Sequence, residues 1–260
     1  MENYLYRIKR FDPEKDAAPR WEEFCIAMSP TERILDGLIR IKDTLDGSLT
    51  FRRSCLHGIC GSCAMKINGR NALACQTLVK DVPLLAPSSP ACGHRGAAEK
   101  AAAAGSKGII VVEPLPALPV IKDLVVDMDP FFGKNRQVLP YLINNEPAPE
   151  RERLQSPEDQ QKILQSITCI MCGCCTSSCP SYWADKEYLG PAALLKAYRF
   201  IGDTRDRAAE ERLDIVAQIH GLWRCHSIFN CVEVCPKDID VTAHIAKLKR
   251  LAVKKRWKRS

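Results

Sequence analysis

The distribution of cysteine constrains this chain more than any other feature of its sequence. Fourteen cysteines occur among 260 residues, and most of them cluster at short spacings. Such a set could form a disulfide framework, zinc sites or iron–sulfur clusters. Spacings as tight as Cys174 beside Cys175 disfavour disulfides, and no charged and then apolar segment precedes Tyr4, so we expect no export signal. Thiols kept in a reducing compartment typically bind metals or act in catalysis, which favours the two metal interpretations.

The first group of cysteines has the spacing Cys-x4-Cys-x2-Cys-x11-Cys. This matches the plant-type pattern, in which one loop wraps a 2Fe–2S centre and a later cysteine closes the site. Gly58 and Gly61 lie inside the loop, where N–H groups that point at the sulfurs often require positive φ angles. A zinc site would more often show two Cys-x2-Cys pairs. We therefore predict a 2Fe–2S site with the ligands Cys55, Cys60, Cys63 and Cys75.

Two related runs of cysteine follow in the second half of the chain. The first has the spacing of bacterial ferredoxins, in which the fourth cysteine binds the other cluster of a pair. The second repeats this register with Ile228 in place of the second cysteine. Because the fourth cysteine of each run binds the cluster of the other run, we predict a 4Fe–4S cluster held by Cys169, Cys172, Cys175 and Cys235. The other site lacks a fourth protein ligand, so we predict a 3Fe–4S cluster held by Cys179, Cys225 and Cys231.

The remaining cysteines are not predicted to be ligands. Cys174 is interpreted as a packed thiol near the 4Fe–4S cluster, and Cys25 as a core residue. Cys92 and His94 lie in the segment 84–107, whose Pro, Ser, Gly and Ala content predicts a loop. A lone Cys and His in a loop are more often incidental than ligands, because a metal site usually needs four convergent groups.

Local patterns predict an α+β chain with a β-rich first half and an all-α second half. Tyr4, Tyr6 and Ile8 alternate with other residues as in a half-buried strand. Asn68-Gly69 between two short apolar segments predicts a tight hairpin. Thr31 is the expected N-cap of a helix that begins directly after this residue. The predicted boundaries are a first domain over 1–129 with 84–107 as an inserted loop, a linker over 130–155, and a helical domain over 156–260.

Helix signals recur through the second half. Ser156 is the expected N-cap of a helix with Pro157 at its first position and acids in its first turn. Further helical periodicity occurs over 192–201 and 207–219.

Positive charge is concentrated at the C-terminal end. The formal net charge is +7, and the segment 247–260 holds eight Lys and Arg residues and no acid. Such a segment can contact anionic lipid or an acidic partner, but a solvated helix end is the commoner interpretation. A zinc-stabilised nucleic-acid module is an alternative of another class, but it would carry its basic residues over one face. No apolar run approaches the roughly 18 residues of a membrane span, so we expect membrane attachment through partners only.

The paired cysteine runs and three further segments resemble the iron–sulfur subunit of succinate dehydrogenase (succinate:quinone oxidoreductase). These segments are Phe51-Arg52-Arg53-Ser54-Cys55, Leu118-Pro119-Val120-Ile121-Lys122-Asp123-Leu124 and Cys225-His226-Ser227-Ile228-Phe229-Asn230-Cys231. The resemblance covers nearly the whole chain. It implies an N-terminal β-grasp plant-type ferredoxin domain followed by an all-α bacterial-type ferredoxin domain.

The same resemblance implies an assembly and a route for electrons. The partners would be an FAD-bearing flavoprotein subunit and membrane anchor subunits, often with haem b, on the cytoplasmic face of the inner membrane of a prokaryote. Electrons would pass from reduced flavin through the 2Fe–2S, 4Fe–4S and 3Fe–4S clusters to quinone. Fumarate reductase uses the same subunit plan in the opposite direction, and a free soluble ferredoxin is disfavoured by the length of the chain.

Four residues match the family's quinone site, and none matches a site for succinate chemistry. An indole offers an N–H donor and a flat apolar surface, and a histidine can relay protons near neutral pH. Many relatives have a second tryptophan where this chain has Ala184. The residues expected beside quinone are Pro180, Trp183, His226 and Ile228.

Overall fold

The computed structural model describes residues 1–85 and 106–259 of the chain. The chain divides into two units, Met1–Asp127 and Met128–Ser260. Cys92, His94 and most of the predicted loop 84–107 lie outside the described residues. The predicted α+β class is confirmed, since the first unit is built on a mixed sheet and the described part of the second contains only helices.

The first unit contains a five-stranded sheet with the order β2-β1-β5-β3-β4. The two central strands, β1 and β5, are parallel, and the remaining pairs are antiparallel. A separate hairpin of β6 and β7 follows. The strands are β1 Glu2–Arg10, β2 Arg20–Met28, β3 Ala64–Ile67, β4 Arg70–Leu73, β5 Ile109–Glu113, β6 Val120–Lys122 and β7 Val125–Val126.

Strand β1 is more deeply buried than its alternating sequence predicts. Every residue from Tyr4 to Ile8 is buried, because β1 lies inside the sheet with β2 and β5 on either side. Arg7, on the face expected to be exposed, forms an ion pair of 2.8 Å with Glu23. The alternating sequence predicted a half-exposed strand, but the interior position of β1 in the sheet buries both of its faces.

The predicted hairpin is confirmed, and the predicted helix begins two residues later than expected. Asn68 and Gly69 have φ angles of 42° and 85° and connect β3 to β4. Helix α1 (Ile34–Thr44) begins after Arg33, so the prediction of Thr31 as its cap was wrong. The Arg33 N–H donates to the Asp36 carboxylate at 2.9 Å, and this contact defines the start of the helix.

The second unit consists of helices joined by cysteine-bearing loops. Helix α6 (Gly190–Ile201) packs against several of the other helices, and nine of its twelve residues are buried. The Ser156 hydroxyl accepts from the Asp159 N–H at 3.1 Å, which confirms the predicted start of α3. The helices are α2 Asp129–Gln137, α3 Pro157–Ile167, α4 Cys174–Ser177, α5 Pro180–Ala184, α6 Gly190–Ile201, α7 Ala209–Val216, α8 Asn230–Glu233 and α9 Val241–Arg259, with a 3-10 turn at Leu222–Arg224.

The segment predicted as a linker, 130–155, belongs to the helical unit in the structure. It contains most of α2, and its following residues are bound to a fully buried arginine. The Arg212 guanidinium donates to the carbonyl oxygens of Leu139 and Tyr141 at 3.0 and 2.7 Å and pairs with Asp206 at 2.5 Å. The Leu139 carbonyl oxygen also accepts from the Tyr141 N–H at 2.8 Å, and Arg212 ties both carbonyl groups to a distant part of the helical unit.

Candidate metal centres

The loop of the first predicted site bends its backbone around the Cys55 sulfur. The N–H groups of Ile59 and Cys60 donate to Cys55 Sγ at 3.4 and 3.3 Å. The two glycines of the loop have φ angles of 73° and 70°, as predicted. A Cβ atom at the first of them, Gly58, would lie 2.2 Å from the Gln76 side chain. The positive φ angle therefore favours glycine there, whereas the exposed Gln76 side chain could shift to make room.

The cysteines of this site lie in unequal surroundings. The backbone N–H groups around Cys55, that of His57 first, lower the pKa of this thiol to about 6. Burial raises the pKa of Cys63, whose side chain lies beside that of Cys75 after the β3–β4 hairpin. Cys60 is exposed, whereas Cys63 and Cys75 are buried. The site is thus open on one side, and its N–H donors favour electron-rich sulfur at Cys55.

The second predicted site is a pocket in the helical unit. Apart from Lys237, its other lining residues are apolar or glycine. Burial raises the pKa values of Cys169 and Cys175. Buried thiolates in such surroundings need a compensating positive charge, which iron ions supply. The pocket is lined by all four predicted ligands, Cys169, Cys172, Cys175 and Cys235.

The third predicted site is a separate pocket in the same unit. The Cys231 sulfur lies 3.5 Å from the Thr242 hydroxyl, and burial raises the pKa of Cys231 to about 11. The Tyr188 side chain also lines this pocket, and its buried hydroxyl has no hydrogen-bond partner among the described residues. An unsatisfied buried donor is the mark of a missing polar group, so the surroundings fit an electron-rich cluster. The three predicted ligands Cys179, Cys225 and Cys231 all line it.

The two loops of the helical unit repeat the same backbone path at a separation of 56 residues. Each loop has two positive φ angles, 54° and 85° in the first and 56° and 72° in the second. Each is followed at once by a four-residue helix, α4 or α8. The equivalent positive-φ positions are Met171 with Ser227 and Gly173 with Phe229.

The arrangement is not that of a single-ion site. Among residues 1–85 and 106–259, no three His, Cys, Asp or Glu side chains are arranged to hold one metal ion. A zinc site would require such a group, usually with four ligands around one ion. Pockets lined by three or four cysteines suit iron–sulfur clusters, which are larger than a single metal ion.

Three of the four residues expected beside quinone line the third pocket, namely Pro180, His226 and Ile228. Trp183 is not one of its lining residues. The Trp183 side chain is half exposed, and its indole N–H donates to the Ser177 carbonyl oxygen at 2.7 Å. The N–H is thus engaged within the chain, and only the flat indole surface remains available.

Two residues near the third pocket were not predicted from the sequence. The Tyr188 hydroxyl is one, and the other is Lys249, whose ammonium group donates to the Cys225 carbonyl oxygen at 2.7 Å. Lys249 follows Thr242 and Ile245 on one face of α9, and both of those residues line the pocket. Helical spacing from Thr242 could have suggested Lys249 only once the position of α9 was known.

Of the three cysteines not predicted to be ligands, Cys92 lies outside the described residues, Cys174 is packed as expected and Cys25 is only partly buried. Cys174 is fully buried, and its thiol lies at hydrogen-bond distance from Cys172. Cys25 lies on β2 beside the buried pair Leu5 and Ile109. Neither faces a pocket described above.

Both units match known iron–sulfur families. Residues 5–133 match the model of the 2Fe-2S iron-sulfur cluster binding domain, and residues 165–239 match that of the 4Fe-4S dicluster domain. With the cysteine-lined sites, these matches define an iron–sulfur electron-transfer protein.

Relatives of known name extend over nearly the whole chain. The succinate dehydrogenase iron-sulfur subunit of Paracoccus denitrificans is 42% identical over 95% of this chain and 87% of its own length. That of Coxiella burnetii is 40% identical over 94% of each. A chain of the Mycobacterium smegmatis Sdh1 complex in the apo form superposes with a TM-score of 0.81 at 25% identity, over 98% of both chains.

The chain belongs to the family of succinate dehydrogenase iron–sulfur subunits. It is therefore a subunit of an oxidoreductase complex. No helix among the described residues is both long and apolar enough to cross a membrane.

Proposed function

We propose that this chain carries electrons from the reduced FAD of a flavoprotein subunit to quinone in the membrane, through a 2Fe–2S, a 4Fe–4S and a 3Fe–4S cluster. The observation that carries this proposal is the paired arrangement of the helical unit. The two loops have the same pattern of φ angles. Together with the cysteine that follows each short helix, they place four cysteines around one pocket and three around the other. Ile228 lies where a fourth ligand of the second pocket would be. Bound clusters would supply one-electron storage at three successive positions.

The chain's own residues would hold and insulate the clusters. The first site would be held by Cys55, Cys60, Cys63 and Cys75, with backbone N–H groups that stabilise negative charge on sulfur. In the second pocket, the apolar lining would exclude water, so the interactions between the charged cluster and the surrounding dipoles would be stronger than in water. In the third, Cys179, Cys225 and Cys231 would hold the three-iron cluster.

The quinone would approach the third pocket. In support, Pro180, His226 and Ile228 line that pocket, and the His226 and Ile228 side chains are exposed at its edge. An exposed apolar side chain beside an exposed imidazole offers a quinone ring one surface to pack against and one group to exchange protons with. Trp183 would contribute its indole surface, since its N–H is already bonded.

The chain would work as a peripheral subunit between a flavoprotein and one or more membrane anchor subunits, which in some relatives carry haem b. The expected location is the cytoplasmic face of a prokaryotic inner membrane. The curated relatives described above are bacterial, which supports the source. Helix α9 carries the basic C-terminal segment, which could face the anionic membrane surface.

Electron paramagnetic resonance of the native complex tests this proposal. We expect a three-iron signal in the oxidised complex that disappears on addition of succinate, while a reduced 2Fe–2S signal develops. Clusters that respond to dithionite but not to succinate would contradict the proposed electron donor. Zinc in place of iron would contradict the proposal as a whole.

The quinone end can be tested separately with His226→Leu. We expect quinone reduction to slow by about 10²-fold, the usual scale for loss of a proton-transfer group, while succinate still reduces the clusters at the normal rate. His220→Leu is the matched control, because His220 bonds Asp185 at 3.0 Å and does not line the pocket. Equal slowing of both reactions in His226→Leu would indicate a structural role instead.

A further inference from the structure

One buried polar group in the helical unit is left without a partner beside the three-cysteine pocket. The Tyr188 side chain has no exposed surface, and its hydroxyl makes no hydrogen bond among the described residues. Such a group is costly in a folded protein, and buried hydroxyls almost always have a partner. A group outside the polypeptide is therefore expected to accept this hydrogen bond.

The backbone holds Tyr188 firmly in its position. Its N–H donates to the Asp185 carbonyl oxygen at 3.2 Å, and the Leu189 N–H donates to the His220 carbonyl oxygen at 2.9 Å. These bonds fix the backbone of Tyr188, and its side chain is fully buried. Tyr188 lines the pocket together with the three predicted ligands Cys179, Cys225 and Cys231.

We propose that the Tyr188 hydroxyl donates a hydrogen bond to a sulfur atom of the three-iron cluster and thereby raises the reduction potential of that cluster. This inference rests on the proposed function, since it requires the cluster in that pocket. Reduction adds negative charge to the cluster, and a donor aimed at sulfur stabilises the reduced form more than the oxidised form. No covalent bond forms or breaks, and the phenol keeps its proton.

The two pockets differ in this respect. No Ser, Thr or Tyr occurs among the described residues that line the four-cysteine pocket, whereas Tyr188 and Thr242 both line the three-cysteine pocket. Ser181 and Ser227 also line this pocket. Thr242 lies at 3.5 Å from the Cys231 sulfur and Ser181 is hydrogen-bonded to Cys179, so both address ligands. Ser227 is exposed, whereas the buried Tyr188 hydroxyl has no partner among the described residues. A hydroxyl donor to the three-iron cluster would make electron transfer from the 4Fe–4S cluster to the three-iron cluster more favourable.

A redox titration of the complex in its membrane, followed by electron paramagnetic resonance, tests the inference. Tyr188→Phe removes the hydroxyl and keeps the ring. We expect a three- to tenfold change in the equilibrium constant for one-electron reduction, which corresponds to a midpoint potential lower by about 30 to 60 mV for the three-iron cluster. The potential of the 2Fe–2S cluster in the same sample is expected to stay unchanged.

Tyr198→Phe is the matched control. Tyr198 is also buried in the helical unit, but its hydroxyl donates to the Lys162 carbonyl oxygen at 3.2 Å and it lines neither cysteine pocket. We expect Tyr198→Phe to leave all cluster potentials unchanged.

Three results would overturn the inference. An unchanged three-iron potential in Tyr188→Phe would mean that the hydroxyl bonds a buried water or nothing. Loss of the three-iron signal in Tyr188→Phe alone would mean that Tyr188 is needed for assembly and does not merely set the potential. Absence of a three-iron signal from the unmodified complex would overturn the proposed function together with this inference.

Discussion

The two cysteine loops of the helical unit have the same backbone and different surroundings. In the first loop, Cys172 is buried, with 9% of its surface exposed. In the second, the equivalent Ile228 is 47% exposed, and its neighbour Phe229 is 50% exposed. The backbone path therefore does not depend on a cysteine at this position, because both loops keep their positive φ angles and their short helices. One position, Cys172 in the first loop and Ile228 in the second, distinguishes the pocket with four predicted ligands from the pocket with three.

The largest expected effect comes from exchanging a predicted ligand in the first loop for serine. Cys175→Ser should disrupt the 4Fe–4S cluster and lower succinate:quinone activity by at least about 10²-fold, because the electron route is interrupted. Cys174→Ser is the matched control, since Cys174 is adjacent, buried and not a predicted ligand. The iron content and cluster spectra of the purified complex check both variants. Cluster loss in Cys174→Ser with retention in Cys175→Ser would reverse the assigned register.

A second, smaller effect is expected at the shared positive-φ position, where one loop has Gly173 and the other Phe229. Gly173→Ala forces a side chain into a left-handed conformation and should cost about 1 to 2 kcal/mol. Phe229→Gly relieves the same strain and, because Phe229 is half exposed, should stabilise by up to about 1 kcal/mol.

The thermal midpoint of cluster loss in the complex measures these opposite changes, about 2 to 4 °C for each kcal/mol. A fall in both variants would mean that Phe229 contributes more by packing than it costs in strain.

The smallest effect is expected from charge near the second loop. Lys249 donates to the Cys225 carbonyl oxygen at 2.7 Å, and no acidic side chain among the described residues pairs with it. Lys249→Met should lower the midpoint potential of the three-iron cluster by about 30 to 60 mV, since a nearby positive charge favours the reduced form. Redox titration detects this shift. Lys255→Met is the control, because Lys255 lies on the same helix but pairs with Asp214 at 2.8 Å. An equal shift of the three-iron midpoint potential in Lys255→Met would exclude a local effect of Lys249.

Much of this architecture could be predicted from spacing alone, because the relevant signals are local. The Asn68-Gly69 hairpin, the capped start of α3 and the two repeated runs each depend on a few neighbouring residues. The cap of α1 could not be predicted, because Thr31 is of the residue type preferred at an N-cap, whereas the helix begins after Arg33, whose N–H donates to Asp36. The residues 130–155 were also not predicted to join the helical unit, because Arg212 binds that segment from a distant part of the sequence.

The cysteines of the candidate sites were predictable, but two neighbouring groups were not. Tyr188 lies in the turn after α5, and Lys249 lies on α9. They are near the third pocket only because the fold brings these two segments together there. Trp183 shows the reverse case, since its residue type suggested a free N–H donor that the structure uses for Ser177.

The most direct test of the comparison is Ile228→Cys, measured by electron paramagnetic resonance of the oxidised complex. Because the two loops have equivalent backbones, a cysteine at this position should supply the missing fourth ligand. We predict that the oxidised three-iron signal decreases and that a reducible 4Fe–4S signal replaces it. An unchanged three-iron signal in a folded, assembled Ile228→Cys complex would contradict the assigned ligand register and the equivalence of the two loops.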